Sequence, residues 1–150
     1  MARNYKRLEI YNLSYDLTLR IYKTIEKFPE YEIKNMSLQL RRAMVSIPLN
    51  IAESTSRKSP KEFLNFLTYA YGSAKEVEVL LNLSKDLGYM SQEEFSGLSA
   101  DLNYLTAKLY LFMRDAEQRI PQKRFQFFQK LDRNKLVSEV VKSEINCNTS

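Results

Sequence analysis

The sequence has no histidine, one cysteine, three glycines and four prolines in 150 residues. Without histidine, zinc sites that combine cysteine with histidine and imidazole acid–base catalysts are excluded. The one cysteine, Cys147, cannot form an internal disulfide, and nothing near it in the sequence would lower its pKa, so an incidental thiol is favoured over a nucleophile. Sheet-rich folds need many turns, so the scarcity of glycine and proline predicts a few long elements.

Long apolar segments are also missing. No run approaches the ~18 apolar residues of a membrane span. The first ten residues are polar and basic and lack the apolar segment of a signal peptide. Together with the lack of a disulfide framework, these features predict a cytoplasmic protein with no membrane contact. We also expect no metal and no cofactor.

Positive charge is unevenly distributed along the chain. The net charge is +5, from 23 basic and 18 acidic residues. Residues 34–61 carry six basic residues against one acidic residue, whereas residues 62–120 carry five basic and nine acidic residues. This distribution predicts a basic patch that could bind a polyanion, although an unevenly charged solvated surface gives the same pattern.

Apolar residues recur at intervals of three and four in four segments, at residues 8–28, 35–53, 59–88 and 91–120, which predicts four helices. The last two segments have a heptad pattern and a short connection, which makes them antiparallel neighbours. We therefore predict an all-α fold, with an antiparallel up-and-down four-helix bundle over residues 1–120. Residues 121–150 are predicted to form an amphipathic helical extension and a frayed tail.

Local signals mark the ends of these helices. Two predicted capping boxes, Ser59 with Glu62 and Ser91 with Glu94, begin the third and fourth helices. Pro60 occupies the first position of the third helix, and a glycine should stop that helix. The remaining stop signals are Gly88 and the pairs Phe28-Pro29 and Ile120-Pro121.

The second predicted helix is apolar on two sides. Besides its core stripe, it carries apolar residues on the opposite side, which are Leu38, Val45, Leu49 and Ala52. In a four-helix bundle this second face would be at the surface, so it predicts a subunit interface in a homo-oligomer. Pro48 should kink the helix, and Ser46 and Asn50 are expected to satisfy the carbonyl group that this proline frees. A catalytic Ser46 is disfavoured because there is no histidine to act as its base.

Two motifs carry a resemblance to a known family. The segment QLRRAMVSIPLNIAE at residues 39–53, followed by Arg57, and the segment FLTYAYGSAKE at residues 66–76 resemble the proteins encoded by intervening sequences of 23S ribosomal RNA genes. The resemblance covers about residues 8–120. It implies a four-helix bundle that assembles into a ring, a pentamer in related members, without a settled activity. Structurally similar accessory proteins of diversity-generating retroelements bind nucleic acid and a reverse transcriptase.

The chain departs from the family pattern at two places. Ser54 replaces the usual glycine, which could alter the turn after the second helix, because serine tolerates positive φ poorly. Residues 33–36 lack the usual Tyr-Gly-Leu sequence. The family pattern does not extend to residues 121–150.

Five basic residues form the predicted nucleic-acid-binding site, and they are Arg41, Arg42, Arg57, Lys58 and Lys61. Guanidinium groups suit phosphate contacts, and five such charges would give salt-sensitive binding. The alternatives are that Arg42 pairs with Glu53 or Glu76, or that the arginines brace a subunit interface. A second aromatic and basic group lies near the N-terminus, where Tyr5, Tyr11 and Tyr15 accompany Arg3, Lys6 and Arg7.

From these residues we predict a non-enzymatic homo-oligomer that binds RNA or DNA through the basic site. The alternative is a protein-binding scaffold or accessory oligomer with no nucleic-acid role, in which residues 125–141 dock the partner. A di-iron site on the third and fourth helices is disfavoured, since such sites combine inward glutamates with histidines.

Overall fold

The computed structural model of the chain describes residues 4–120. Four α-helices and two short 3-10 turns make up this part, and no strand occurs within it. The α-helices are α1 (Glu9–Ile25), α2 (Met36–Ser56), α3 (Pro60–Asp86) and α4 (Gln92–Gln118), and the 3-10 turns are Tyr5–Arg7 and Glu30–Glu32. The predicted all-α class is confirmed. The predicted extension and tail at residues 121–150 lie outside the described residues.

One hydrophobic core joins all four helices, and it consists of the stripes predicted from the three-and-four spacing. Ile21, Leu40, Ile47, Leu67, Leu81, Leu102 and Leu109 are among its fully buried side chains. Burying a side chain of this size stabilises a fold by about 1.5–3 kcal/mol, so the core is the main source of stability. Each helix therefore has one face fixed against the others, and its opposite face is left for the surface.

The capping box predicted for α4 is confirmed, whereas the one predicted for α3 is not. The Ser91 hydroxyl accepts a hydrogen bond from the Glu94 backbone N–H at 3.1 Å, and the Glu94 carboxylate accepts one from the Ser91 N–H at 3.2 Å, which is a complete capping box. At α3, Ser59 is the N-cap residue and Pro60 begins the helix, but the Ser59 side chain makes no capping hydrogen bond. The capping box predicted with Glu62 is therefore wrong. Proline at the first position already removes one of the N–H groups that a cap would satisfy.

The turn after α3 depends on Gly88, whose φ of 77° lies in the left-handed region. Its N–H donates to the Lys85 carbonyl, and the N–H of Tyr89 donates to the Ser84 carbonyl at 2.8 Å. These two bonds make a Schellman motif, which satisfies the last carbonyls of the helix. The predicted stop at this glycine is confirmed.

Helix α2 runs one turn beyond its predicted end. Ser54, at the position where the resemblance predicts glycine, is fully buried, and its hydroxyl donates to the Ile51 carbonyl at 2.7 Å. No residue other than glycine has positive φ in the described part of the chain. Serine is accommodated at position 54 because the backbone stays helical to Ser56. The turn between α2 and α3 therefore begins after Ser56 and not at Ser54.

Each helix packs against two others, and toward the end of α1 the contacts move to residues earlier in α4. α1 packs against α2 and α4, and α3 packs against the same two helices. Arg20 of α1 pairs with Asp101 of α4, and Lys27, two residues after the end of α1, pairs with Glu94, which lies earlier in α4. The hydrogen bond from Lys27, together with the backbone N–H of Ser91, lowers the pKa of the Glu94 carboxyl group. This packing is compatible with an antiparallel four-helix bundle.

The connection between α1 and α2 is tied to the turn after α3. The Tyr89 hydroxyl donates to Glu32 Oε1 at 2.7 Å, and Glu32 Oε2 accepts the N–H of Met36, the first residue of α2, at 3.1 Å. Hydrogen bonding with Tyr31, and then with Glu32, raises the pKa of Tyr89. One carboxylate thus caps α2 and joins two connections far apart in sequence.

Candidate functional site

The outer face of α2 forms an open groove of about 690 Å³, here called the α2 groove. The residues lining it are Tyr22, Leu38, Arg41, Arg42, Val45, Ser46, Leu49, Asn50 and Glu53. Three of the four predicted interface residues lie in it, and the fourth, Ala52, is partly buried on α2. Leu49 is 62% exposed. Since Ile47 and Ile51 of the same helix are fully buried, α2 is apolar both toward the core and toward solvent.

Two arginines of the predicted nucleic-acid site lie in the α2 groove. The Arg41 guanidinium is 6.0 Å from the centre of the ring of Tyr22, a residue of α1. The partly buried Arg41 side chain therefore lies on the side of α2 that faces α1. Arg42 is exposed and makes no ion pair among residues 4–120. The alternative that Arg42 pairs with Glu53 or Glu76 is wrong for the isolated chain, because Glu53 pairs with Arg57 and Glu76 makes no ion pair among residues 4–120. The guanidinium of Arg42 therefore remains available to an external carboxylate or phosphate.

A polar strip fixes α2 against α3 beside this groove. The Asn50 amide donates to the Ser46 carbonyl at 2.8 Å and to the Ser46 hydroxyl at 2.9 Å. The hydroxyls of Ser46 and Ser73 are 2.8 Å apart. The carbonyl freed by Pro48 is that of Met44, four residues earlier. The expectation that Ser46 and Asn50 satisfy that carbonyl is wrong, because the Asn50 amide reaches only Ser46, and the Ser46 hydroxyl contacts Asn50 and Ser73.

A second surface lies where α2 ends and α3 begins, close to the end of α4. It forms a groove of about 190 Å³, here called the basic junction, lined by Thr55, Arg57, Lys58, Ser59, Pro60, Phe63, Ala116 and Arg119. Arg57 pairs with Glu53, and its guanidinium lies 4.5 Å from the centre of the Phe66 ring. Lys58 is exposed and makes no ion pair within the described part of the chain.

The structure divides the five predicted basic residues between two places. Arg41 lies in the second turn of α2 and Arg57 directly follows its last residue, so the helix separates the two by about 22–24 Å along its axis. Lys61 is exposed in the first turn of α3, next to the basic junction but outside its lining. Arg119, at the C-cap of α4, joins the junction although sequence reasoning missed it, because only the packing of α4 brings it there.

The three N-terminal tyrosines contact one another in series, with Tyr5 and Tyr11 edge to face and Tyr11 and Tyr15 tilted. The Tyr5 and Tyr11 rings are 4.8 Å apart at their centres, and those of Tyr11 and Tyr15 are 6.1 Å apart. Burial raises the pKa of Tyr11. Tyr15 is 50% exposed, so half of its ring remains accessible. Arg3 lies outside the described residues, as do Cys147 and the predicted docking segment at residues 125–141.

The described residues contain no group suited to hold a metal. Nowhere in residues 4–120 do three or more histidine, cysteine, aspartate or glutamate side chains cluster in a way that would bind an ion. None of the helices in that range combines the length and apolar character that a membrane crossing requires.

Comparison with known proteins identifies a family and a similar solved structure. The family model described as 23S rRNA-intervening sequence protein matches residues 6–111. A search of curated proteins finds no significant match. The crystal structure of a protein with unknown function from the S23 ribosomal protein family of Bacteroides thetaiotaomicron is similar, with 27% identity and a TM-score of 0.64. The alignment covers 70% of this chain and 98% of that one. The chain belongs to the family of 23S rRNA-intervening sequence proteins.

Proposed function

We propose that the protein is a non-enzymatic homo-oligomer that binds RNA or DNA through a basic surface. Its four helices form an antiparallel up-and-down bundle in this proposal. The reverse order of the contacts between α1 and α4 supports that topology. The contacts between α2 and α3 support it as well, because Ser46 meets Ser73 whereas Arg57, the residue that follows α2, meets Phe66, which lies earlier in α3. A cytoplasmic location belongs to the same proposal.

The α2 groove supports self-association. Leu49 exposes most of its surface, and Leu38 and Val45 continue the apolar face along the helix. Monomeric soluble proteins rarely present such a continuous apolar stripe to water, so a second copy covering it would remove that cost. The stoichiometry that the family resemblance implies is a pentameric ring. In a ring, a weak nucleic-acid site would be repeated and strengthened by avidity.

The basic junction supports the nucleic-acid role, and the unpaired cations there are the observation that carries it. Lys58 and Lys61 are exposed and free of ion pairs within the described range, and Arg119 enters from α4. The positive end of the α3 dipole faces the same region. Three cations close together suit a phosphate backbone, whereas Arg57 is already engaged by Glu53 and serves mainly to order the junction. We place the primary contact here and give Arg41 and Arg42 the alternative role of bracing the interface.

The test is a charge reversal at Lys58 and Lys61 with a matched control. Lys23 and Lys34 are also exposed and without ion pairs among residues 4–120, so the double change of these two to glutamate alters net charge equally. Affinity for a structured RNA and a duplex DNA is measured at several salt concentrations. Reversal at the junction should reduce the slope of log affinity against log salt by about 2, one for each lost phosphate contact.

Three results would each count against the proposal. An equal loss in the control would mean that net charge alone matters. An unchanged slope in the junction variant would remove the junction as the contact. Failure of the native assembly to bind either nucleic acid at low salt would favour the alternative, a protein-binding scaffold or accessory oligomer, which the exposed apolar face of α2 also supports.

A further inference from the structure

A second exposed apolar stripe lies on the outer face of α3. Tyr69 and Val79 are 58% and 59% exposed, and Leu83 is 45% exposed. Gly72 and Glu76 are exposed between them. These five residues follow one another at intervals of three, four, three and four, which is the spacing of a coiled-coil seam. Helix α3 therefore has two seams, one in the core and one facing solvent.

The outer face of α2 has the same spacing. Leu38, Arg42, Val45, Leu49 and Ala52 follow one another at intervals of four, three, four and three. Each outer seam contains one charged position, Arg42 on α2 and Glu76 on α3. Neither side chain makes an ion pair among residues 4–120, whereas the nearby Glu78 pairs with Lys75. The two seams thus match in spacing and are opposite in charge.

We propose that the α2 groove of one copy receives the outer face of α3 of the next copy, with Arg42 of the first pairing with Glu76 of the second. This inference rests on the proposed self-association and names the two surfaces that carry it. Because the two faces differ, the contact is heterologous, and its repetition about one axis forms a ring when the rotation between copies divides a full turn. A rotation axis along the helices preserves their direction, so the two helices in contact run antiparallel, as they do within one chain in the proposed bundle.

The antiparallel register is fixed once Arg42 lies opposite Glu76. Moving along the two seams in opposite directions then places Leu49 opposite Tyr69. It also brings Leu38 to Val79 and Val45 to Gly72, each pair staggered by one residue, about 1.5 Å along the helix. Apolar residues therefore meet apolar residues or glycine at every flanking position. Gly72 has no neighbour within 4 Å of where a Cβ would lie, so its small size leaves room for Val45 of the next copy. A parallel contact with the same charge pair would place Leu38 opposite Gly72, and a ring about this axis does not permit it.

The closing experiment is a charge exchange across the contact. The native full-length protein, Arg42→Glu, Glu76→Arg and the double variant are compared by analytical ultracentrifugation over a range of concentrations. Each single reversal should raise the dissociation constant of the assembly about tenfold or more, since close charge pairs at interfaces couple strongly. The double variant should return to within about threefold of the native value. Both positions are exposed, so circular dichroism should be unchanged in all four proteins.

The matched control combines Arg42→Glu with Glu93→Arg. Glu93 is exposed in the first turn of α4, away from both seams, so this pair has the same net charge as the rescuing pair and should not restore assembly. Assembly that neither single reversal weakens would overturn this interface while leaving self-association intact. Rescue by the control as well would overturn the specific pairing. A native protein that stays monomeric at every concentration would overturn the proposed self-association itself, and this inference with it.

Discussion

Two glycines should respond to the same substitution in opposite directions. At Gly88, with φ of 77°, alanine should cost about 1–2 kcal/mol, because in the left-handed region its Cβ approaches the next carbonyl oxygen. Gly97 lies within α4 on helical backbone, and a Cβ there would meet only the end of the Arg20 side chain, at 3.5 Å. Alanine at Gly97 should stabilise the fold by up to about 1 kcal/mol, because glycine is the poorer helix former.

The difference between the two alanine variants should therefore be about 1–3 kcal/mol in free energy of unfolding. It is measured by urea titration at one fixed protein concentration, since assembly makes apparent stability depend on concentration. The dependence of that free energy on urea should not change, because the same surface is exposed on unfolding. Gly88→Asn should lose less than Gly88→Ala, since asparagine tolerates the left-handed region. A Gly88→Ala variant as stable as Gly97→Ala would refute the reasoning.

Three further predictions concern the core, one titrating group and the polar strip. Leu67→Ala, at a fully buried site, should cost about 2–5 kcal/mol in urea titration. Leu19→Ala, at a site 51% exposed, should cost about 0.5 kcal/mol or less, and equal losses would contradict the assigned core. Because its pKa is lowered on folding, the Glu94 carboxylate stabilises the fold above its unfolded pKa of about 4.3, and this contribution is lost as pH falls through the lowered folded pKa. The free energy of unfolding of the native protein should therefore fall more between neutral and acid pH than that of Glu94→Gln. Identical pH profiles for the two proteins would contradict this assignment. Ser46→Ala and Ser73→Ala should each cost about 1 kcal/mol, and the double variant less than their sum, whereas strict additivity would mean that the two hydroxyls do not interact.

Much of the fold could be predicted because its signals are local. Apolar spacing gave the buried faces of all four helices, and the complete capping box at Ser91 and the stop at Gly88 depend only on residues within one or two turns. The end of α2 could not be predicted in the same way. Ser54 and its neighbours favour caps and turns in isolation. Here Ser54 is buried, and its hydroxyl bonds back to Ile51, so the helix continues.

The candidate site was predictable as a set of residues but not as a surface. The sequence analysis grouped Arg41 with Arg57 because both fall in the one strongly basic segment, residues 34–61. The continuous helix keeps the two apart. Arg119 could not be associated with Lys58 from sequence, since the end of α4 reaches the junction only through packing. The hydrogen bond between Tyr89 and Glu32 could not be predicted from sequence either, because neither residue type indicates a partner so distant along the chain.

The brief link between α2 and α3 has a consequence for how the chain folds. Only residues 57–59 separate the two helices, and this pair has the most extensive contact of the four. Closing so small a loop loses little chain entropy, so this hairpin should form early and the domain should fold in the microsecond-to-millisecond range typical of helical proteins. Substitutions at Ile47 or Leu67 should then slow folding, whereas those between α1 and α4 should mainly speed unfolding. On a ribosome, α2 and α3 could pair before α4 has been synthesised.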